Sequence, residues 1–96
     1  MDATLSQMEL TTLVWVSMDY ESIETIGKNV SEEIGFSVSD QEIGESLLSL
    51  FTKGLVQAYR FYSEINQYVP QQPFGEMNIT DLWWRATDFG IRTAQQ

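Results

Sequence analysis

Carboxylates are the only abundant side chains in this sequence that could carry out acid–base chemistry. The 96 residues include 14 acidic residues, no histidine and no cysteine. Without histidine and cysteine, the Ser/His and Cys/His pairs of nucleophilic catalysis cannot be assembled, and zinc loses its usual ligands. Glu32 and Glu33 are adjacent, so on a helix they point in different directions and form no catalytic pair. We therefore predict that the protein is not an enzyme and has no catalytic, cofactor-binding or metal-binding residues.

Aromatic side chains are the other candidates, because large rings anchor many protein–protein contacts. They crowd the second half of the chain, which includes the adjacent Trp83 and Trp84. Neighbours in a strand face opposite sides of the sheet, so only one of these two tryptophans can enter a single core. The alternative is that a long loop folds back over the outer tryptophan, with Tyr68 or Phe74 as its cover. The candidate partner interface consists of Tyr59, Phe61, Trp83 and Trp84.

The charge of the chain is strongly negative and unevenly distributed. The net charge is −9; residues 1–50 hold ten acidic residues against Lys28 alone, whereas residues 51–96 hold four acidic residues against four cations. A field of this sign repels nucleic acid and anionic membranes, and it favours a basic partner or plain solvation. No apolar run approaches the roughly 20 residues that span a bilayer, and no signal peptide is visible. We expect a cytoplasmic protein with a protein partner or self-association and no membrane contact.

The stretch from Ser39 to Tyr62 gives the clearest secondary-structure signals. Ser39 is a helix N-cap residue, and Glu42, three positions later, completes a capping box. Gly54 can adopt the left-handed conformation that ends a helix, and residues 55–62 are rich in branched and aromatic residues, as strands are. An apolar stripe at helical spacing joins the cap to the glycine and consists of Ile43, Leu47, Leu50 and Phe51. The pattern predicts a helix followed directly by a strand.

The remaining patterns place two helices before this stretch and a returning strand after it. Residues 11–16 also have enough β-branched character to read as a strand, and a helix is the preferred prediction there. Asp19 is the predicted cap of the second helix, and Gly35 is its predicted end. Pro70 and Pro73 lack the backbone N–H of a ladder, so the middle of the loop that holds them should not form a central strand. A helix from Asp81 onward is the alternative to the returning strand. The predicted elements are helices over residues 5–18, 19–35 and 39–53, strands over 55–62 and 82–86, a loop over 63–80 and a helix over 88–94.

Two segments of the chain resemble the winged helix-turn-helix superfamily. LLSLFTKGLV (47–56) is a leucine-rich helix with a glycine stop, and LWWRATDFG (82–90) is an aromatic strand followed by threonine and glycine. The resemblance covers roughly residues 8–94. Pattern and resemblance together predict one α+β, winged-helix-like domain over residues 1–96, with three helices, a two-stranded antiparallel wing and a short C-terminal helix.

Winged-helix regulators read DNA with the outward face of the third helix. On this chain three carboxylates of that helix, those of Asp40, Glu42 and Glu45, would face phosphates. The loop over residues 63–80 holds no lysine or arginine. Five cations in the whole chain also fall below the roughly 6–10 phosphate contacts of a dedicated DNA binder. The DNA contacts that the resemblance implies are Gln41, Ser46, Ser49 and Lys53.

We therefore expect a small, acidic, non-enzymatic protein that acts as a protein–protein interaction module. The alternative is a DNA-binding transcriptional regulator that acts as a dimer and gains its DNA affinity from dimerisation or from a better charged partner. A further alternative is that the acidic helical face imitates DNA and occupies a DNA-binding protein. Because the net charge is negative, we expect direct DNA binding by a single copy less than we expect a protein contact.

Overall fold

The computed structural model describes residues 5–73 and 78–95, which form four α-helices, one 3-10 helix and a four-stranded sheet. The elements in order are α1 (Gln7–Trp15), β1 (Glu21–Ser22), α2 (Ile23–Ile34), α3 (Asp40–Thr52), β2 (Val56–Tyr62), β3 (Gln67–Pro70), the 3-10 helix (Ile79–Asp81), β4 (Trp83–Ala86) and α4 (Asp88–Ala94). The predicted α+β class is confirmed. Every predicted helix and strand is present, and two strands, β1 and β3, were not predicted.

Short-range hydrogen bonds set the ends of α3 as predicted. The Glu42 N–H donates to Ser39 Oγ at 3.1 Å, and the Ser39 N–H donates to Glu42 Oε1 at 3.4 Å, which completes the capping box. Gly54 follows the helix with φ +77°, a left-handed conformation that side-chain-bearing residues rarely adopt. The chain therefore turns directly from α3 into β2.

The start of α2 differs from the prediction. Ser22, and not Asp19, is the N-cap, and its Oγ accepts a hydrogen bond from the Thr25 N–H at 3.2 Å. The reason is tertiary, because Glu21 and Ser22 pair with Trp84 and Trp83 of β4 and cannot be helical. Gly35 ends the helix at φ +85°, as predicted.

The sheet has the strand order β1–β4–β2–β3 and is antiparallel throughout. The returning segment is the strand β4, so the alternative of a helix from Asp81 onward is wrong. β3 lies inside the region predicted as a loop, but it is an edge strand, as Pro70 at its end requires. Thr87 then caps α4 by accepting a hydrogen bond from the Gly90 N–H at 3.0 Å.

The core lies between the first three helices and one face of the sheet. Trp84 is its largest fully buried side chain, at 0% exposure. The other core residues are Leu13, Val16, Ile23, Ile26, Val30, Val38, Ile43, Leu47, Leu50, Leu55, Val56, Ala58, Leu82 and Ala86. Within residues 5–73 and 78–95, no helix is long and apolar enough to cross a membrane. Because the core covers only one face of the sheet, the opposite face lies outside the core.

Candidate functional site

The outer face of the sheet carries a cluster of aromatic rings. Side chains alternate along a strand, so Tyr59 and Phe61 of β2 lie on the face opposite Val56 and Ala58, which are buried. The register extends this face across the sheet. Residues directly opposite each other share a face, and the pairs here are Tyr59 with Trp83 and Phe61 with Tyr68. The set of Tyr20, Tyr59, Phe61, Tyr68 and Trp83 is called the aromatic face below.

The rings of the aromatic face contact one another closely. Tyr20 stacks on Tyr68 with a centroid distance of 3.9 Å and an interplanar angle of 4°, and it meets the edge of Tyr59 at 4.8 Å. Tyr68 also contacts Phe61 at 4.9 Å and Trp83 at 5.6 Å. Offset-stacked and edge-to-face pairs at such distances fix ring orientation. The rings thus form one preorganised surface, in which Phe61 remains 36% exposed and the other four are half-buried.

A cation and a cleft border this surface. The Arg85 guanidinium lies 5.1 Å from the centroid of the Tyr20 ring, within the range of a cation–π contact. Burial raises the pKa of the Tyr59 hydroxyl, Tyr20 raises it further, and Arg85 opposes the shift. A cleft of about 480 Å³ runs beside Tyr59 towards α4. Its lining is formed by Gln57, Tyr59, Pro70, Arg85, Ala86, Thr87, Asp88 and Ile91.

Three of the four predicted interface residues meet on this face, and the fourth does not. Tyr59, Phe61 and Trp83 belong to it, whereas Trp84 is fully buried on the core side of β4. The Trp84 Nε1–H has no hydrogen-bond partner among the described residues, so the side chain is held by packing. Trp84 is therefore removed from the candidate interface. The alternative cover for Trp83 is partly realised by Tyr68, while Phe74 lies outside the described residues.

Tyr20 is a member of the aromatic face that the sequence did not predict. It lies in the connection between α1 and β1 and reaches the aromatic face because β1 pairs with β4. Tyr68, which the sequence predicts only as a possible cover, has a ring that contacts three other members of the face. The pairing of β1 carries no signal in a strand of two residues, so the position of Tyr20 could not be inferred from periodicity.

The four candidate DNA contacts, three on α3 and one at its C-cap, do not form a common surface. Ser46 is buried at 8% exposure. Ser49 Oγ donates to Glu9 Oε2 at 2.7 Å, and Lys53 Nζ forms an ion pair with the same oxygen at 2.8 Å. Only Gln41 is exposed among the four. The cation assigned to this surface is thus neutralised within the fold.

Glu9 is the centre of a polar contact between α1 and α3. Partial burial raises the pKa of its carboxyl, but hydrogen bonds from Lys53, the Ser6 N–H and Ser49, together with the charge of Lys53, lower it to about 2. The carboxylate therefore remains charged at neutral pH. The exposed start of α3 adds the carboxylates of Asp40, Glu42 and Glu45, and a phosphate backbone would meet a negative surface there.

Metal ligands do not gather anywhere in the described part of the chain. Residues 5–73 and 78–95 contain no group of three or more acidic, histidine or cysteine side chains that could hold a metal ion.

The order of elements defines the class of the fold as α+β and winged-helix-like. Three helices are followed by the hairpin of β2 and β3 and by the return strand β4, which also pairs with the short β1 between the first two helices. The chain is similar to solved structures of two mutants of Lactococcus lactis ZitR, with TM-scores of 0.64 and 0.62 and 14% identity in each case. No family model matches the sequence, and neither does any curated protein.

The similarity covers nearly all of this chain but only part of ZitR. It includes 99% and 98% of the chain against 51% of each ZitR chain. The chain thus spans about half the length of the ZitR chains that it matches. At this identity the likeness shows the fold alone.

Proposed function

We propose that this chain is a protein–protein interaction module on a winged-helix-like fold, with the aromatic face as its contact surface. The observation that supports the proposal is the assembly of five rings on the side of the sheet that lies outside the core. Aromatic residues are enriched in the centres of protein interfaces because they bury large area at low entropic cost. A preorganised cluster loses little further side-chain freedom when a partner covers it.

The electrostatics of the two candidate surfaces also favour the aromatic face. The exposed start of α3 presents three carboxylates, whereas the aromatic face consists of uncharged rings, with Arg85 beside Tyr20 and one carboxylate, that of Asp88, in the adjoining cleft. The adjoining cleft of about 480 Å³ offers space for a partner side chain. A protein partner can therefore contact the face without the charge repulsion that the acidic helices impose.

Site-specific photo-crosslinking tests this surface. A benzophenone amino acid placed at position 61 should capture a specific protein in the native host. The matched control is position 89 on α4, because Phe89 is more exposed than Phe61, 51% against 36%. The captured protein is then purified, and its affinity is measured for the Phe61→Ser and Phe89→Ser variants. We expect Phe61→Ser to weaken binding by about tenfold or more and Phe89→Ser to leave it unchanged.

Two outcomes would contradict the proposal. Adducts of equal yield at both positions would mark the capture as non-specific. An adduct at position 61 whose affinity does not respond to Phe61→Ser would place the contact outside the aromatic face. Circular dichroism of both serine variants shows whether the fold is retained.

A second candidate function is a DNA-binding transcriptional regulator that acts as a dimer. The fold itself favours it, because winged-helix domains commonly place their third helix in the major groove, and the likeness to ZitR extends over 99% of the chain. Dimerisation would double the number of cations and present two third helices. The charge of −9 and the ion pair between Lys53 and Glu9 oppose this function.

Fluorescence anisotropy of a labelled duplex at low salt decides on the second candidate. Low salt strengthens every electrostatic contact, so it gives DNA binding its best conditions. Saturable binding that weakens steeply with added salt would support the regulator. Absence of binding at protein concentrations where the chain is dimeric would exclude the regulator function.

A further inference from the structure

We propose that two copies of this chain pair through the outer edge of β3 and form one continuous antiparallel sheet. This inference rests on the interaction-module function proposed above and names a second copy of the chain as one partner. It concerns the edge of the sheet, whereas the aromatic face lies on its surface.

The backbone of β3 has hydrogen-bonding groups that point away from the sheet. Among the described residues, β3 is the last strand in the order β1–β4–β2–β3, and β2 occupies one of its sides. The Gln71 N–H donates to the Ala58 carbonyl oxygen at 3.0 Å. Alternate residues of an antiparallel strand bond to the same neighbour, so residues 67, 69 and 71 face β2. The N–H and carbonyl of Tyr68 therefore point outward.

The lack of charged side chains on the edge favours a second copy of the chain as the partner that pairs with it. Residues 65–73 include no charged side chain, although the chain as a whole carries a net charge of −9. Two copies with this net charge repel each other at most orientations, and an uncharged edge is where they can approach. A basic protein, by contrast, would find no carboxylate on this segment to pair with. Charged side chains are one device that protects an edge strand, and residues 65–73 have none, so Pro70 and the short length of β3 are the protection present in this segment.

Exposed apolar side chains lie in the same hairpin. Val69 is 36% exposed, Ile65 at the tip of the hairpin is 58% exposed, and Tyr62 is 38% exposed. Pairing with another strand would cover part of this surface. Pro70 supplies no N–H, which limits the new ladder to a few residues. A two-fold axis at Tyr68 closes the assembly as a dimer and brings the aromatic faces of the two copies side by side.

The two-fold arrangement fixes which residues lie opposite each other. With Tyr68 facing Tyr68 of the second copy, position 69 of one chain lies across from position 67 of the other. A carboxylate introduced by Val69→Glu is then duplicated by symmetry, and the two copies of it are diagonal neighbours that repel. Within its own chain the new carboxylate faces Arg60, so the hairpin is retained. This makes Val69→Glu selective for the dimer.

Sedimentation velocity from micromolar to near-millimolar concentration is the measurement. We expect a concentration-dependent dimer for the natural sequence and a dissociation constant at least about tenfold higher for Val69→Glu. The matched control is Val14→Glu, because Val14 is a second exposed valine, at 45%, and lies in the groove between α1 and α4. It adds the same charge away from β3 and should leave the dimer intact.

A charge-balanced double variant tests the register itself. Gln67→Lys combined with Val69→Glu restores the net charge and places opposite charges across the two-fold axis. We expect it to recover dimerisation. Circular dichroism confirms that each variant is folded.

Four results would overturn the inference. They are a natural sequence that stays monomeric, a Val69→Glu variant that dimerises normally, an equal loss in Val14→Glu, and a double variant that does not recover. None of them decides the crosslinking experiment at position 61, which reports on the aromatic face and can succeed with a different protein. Failure at the edge and failure at the face are thus separable.

Discussion

Replacing Glu9 by glutamine should weaken the contact between α1 and α3 in a pH-dependent way. Glu9 Oε2 accepts hydrogen bonds from Lys53 Nζ at 2.8 Å and Ser49 Oγ at 2.7 Å, and Oε1 accepts one from the Ser6 N–H at 3.0 Å. Glutamine keeps the shape and an acceptor oxygen but removes the charge. The substitution therefore isolates the electrostatic part of the contact.

The magnitude follows from the pKa of Glu9. Its carboxyl has a pKa of about 2 in the fold against an ordinary value of 4.5. At 1.36 kcal/mol per pKa unit, ionisation of Glu9 contributes up to about 3 kcal/mol at neutral pH. Because the folded pKa is the lower one, this stability is present above the unfolded pKa and is lost as the pH falls through the folded pKa. Roughly 2 kcal/mol of it should disappear between pH 7 and pH 3.

Urea unfolding followed by tryptophan fluorescence is the assay for this prediction. The natural sequence and Glu9→Gln are compared at pH 7 and pH 3. The other carboxyl groups titrate in both proteins, so the difference in unfolding free energy isolates Glu9. Glu45→Gln, which removes an exposed carboxylate from α3, is the control and should shift stability by less than about 0.5 kcal/mol.

An equal difference in unfolding free energy between the two proteins at pH 7 and pH 3 would refute this prediction. An equal difference would mean that glutamine disturbs packing and that the charge of Glu9 contributes nothing. A difference in unfolding free energy below about 0.5 kcal/mol at pH 7 would also contradict it. Such a result would show that the ion pair between Glu9 and Lys53 contributes no more than a solvent-exposed ion pair does.

Two further pairs of substitutions distinguish a core side chain from a surface one, and a steric clash from ordinary packing. Trp84→Ala should lower the unfolding free energy in urea by about 3–5 kcal/mol, because it empties a fully buried site. Trp83→Ala should lower it clearly less, because the Trp83 indole is half-buried. Equal losses would contradict this assignment of core and surface. Gly90→Ala should destabilise the docking of α4, since a Cβ there would collide with the Leu55 carbonyl oxygen. Gly27→Ala, whose Cβ would meet only ordinary contacts, should stabilise the protein by up to about 1 kcal/mol in the same assay, and a loss of stability would refute it.

Local structure was largely predictable because it depends on contacts within a few residues. The cap of α3 is a hydrogen-bond exchange between residues three positions apart, and Gly54 acts through its own backbone. Strand alternation likewise required that Trp83 and Trp84 face opposite sides. The sequence alone therefore determined the order of helices and main strands and the presence of one outward tryptophan.

Only the tertiary structure decided which surface those elements build. A shift of one residue in strand register exchanges the two faces, so the burial of Trp84 in the core and the position of Trp83 on the outer face required the pairing of β4 with β2. Lys53 is neutralised by Glu9, which lies 44 positions away in the chain. Tyr20 joins the aromatic face through the pairing of β1 with β4. Such contacts join residues distant in sequence, and no local periodicity encodes them.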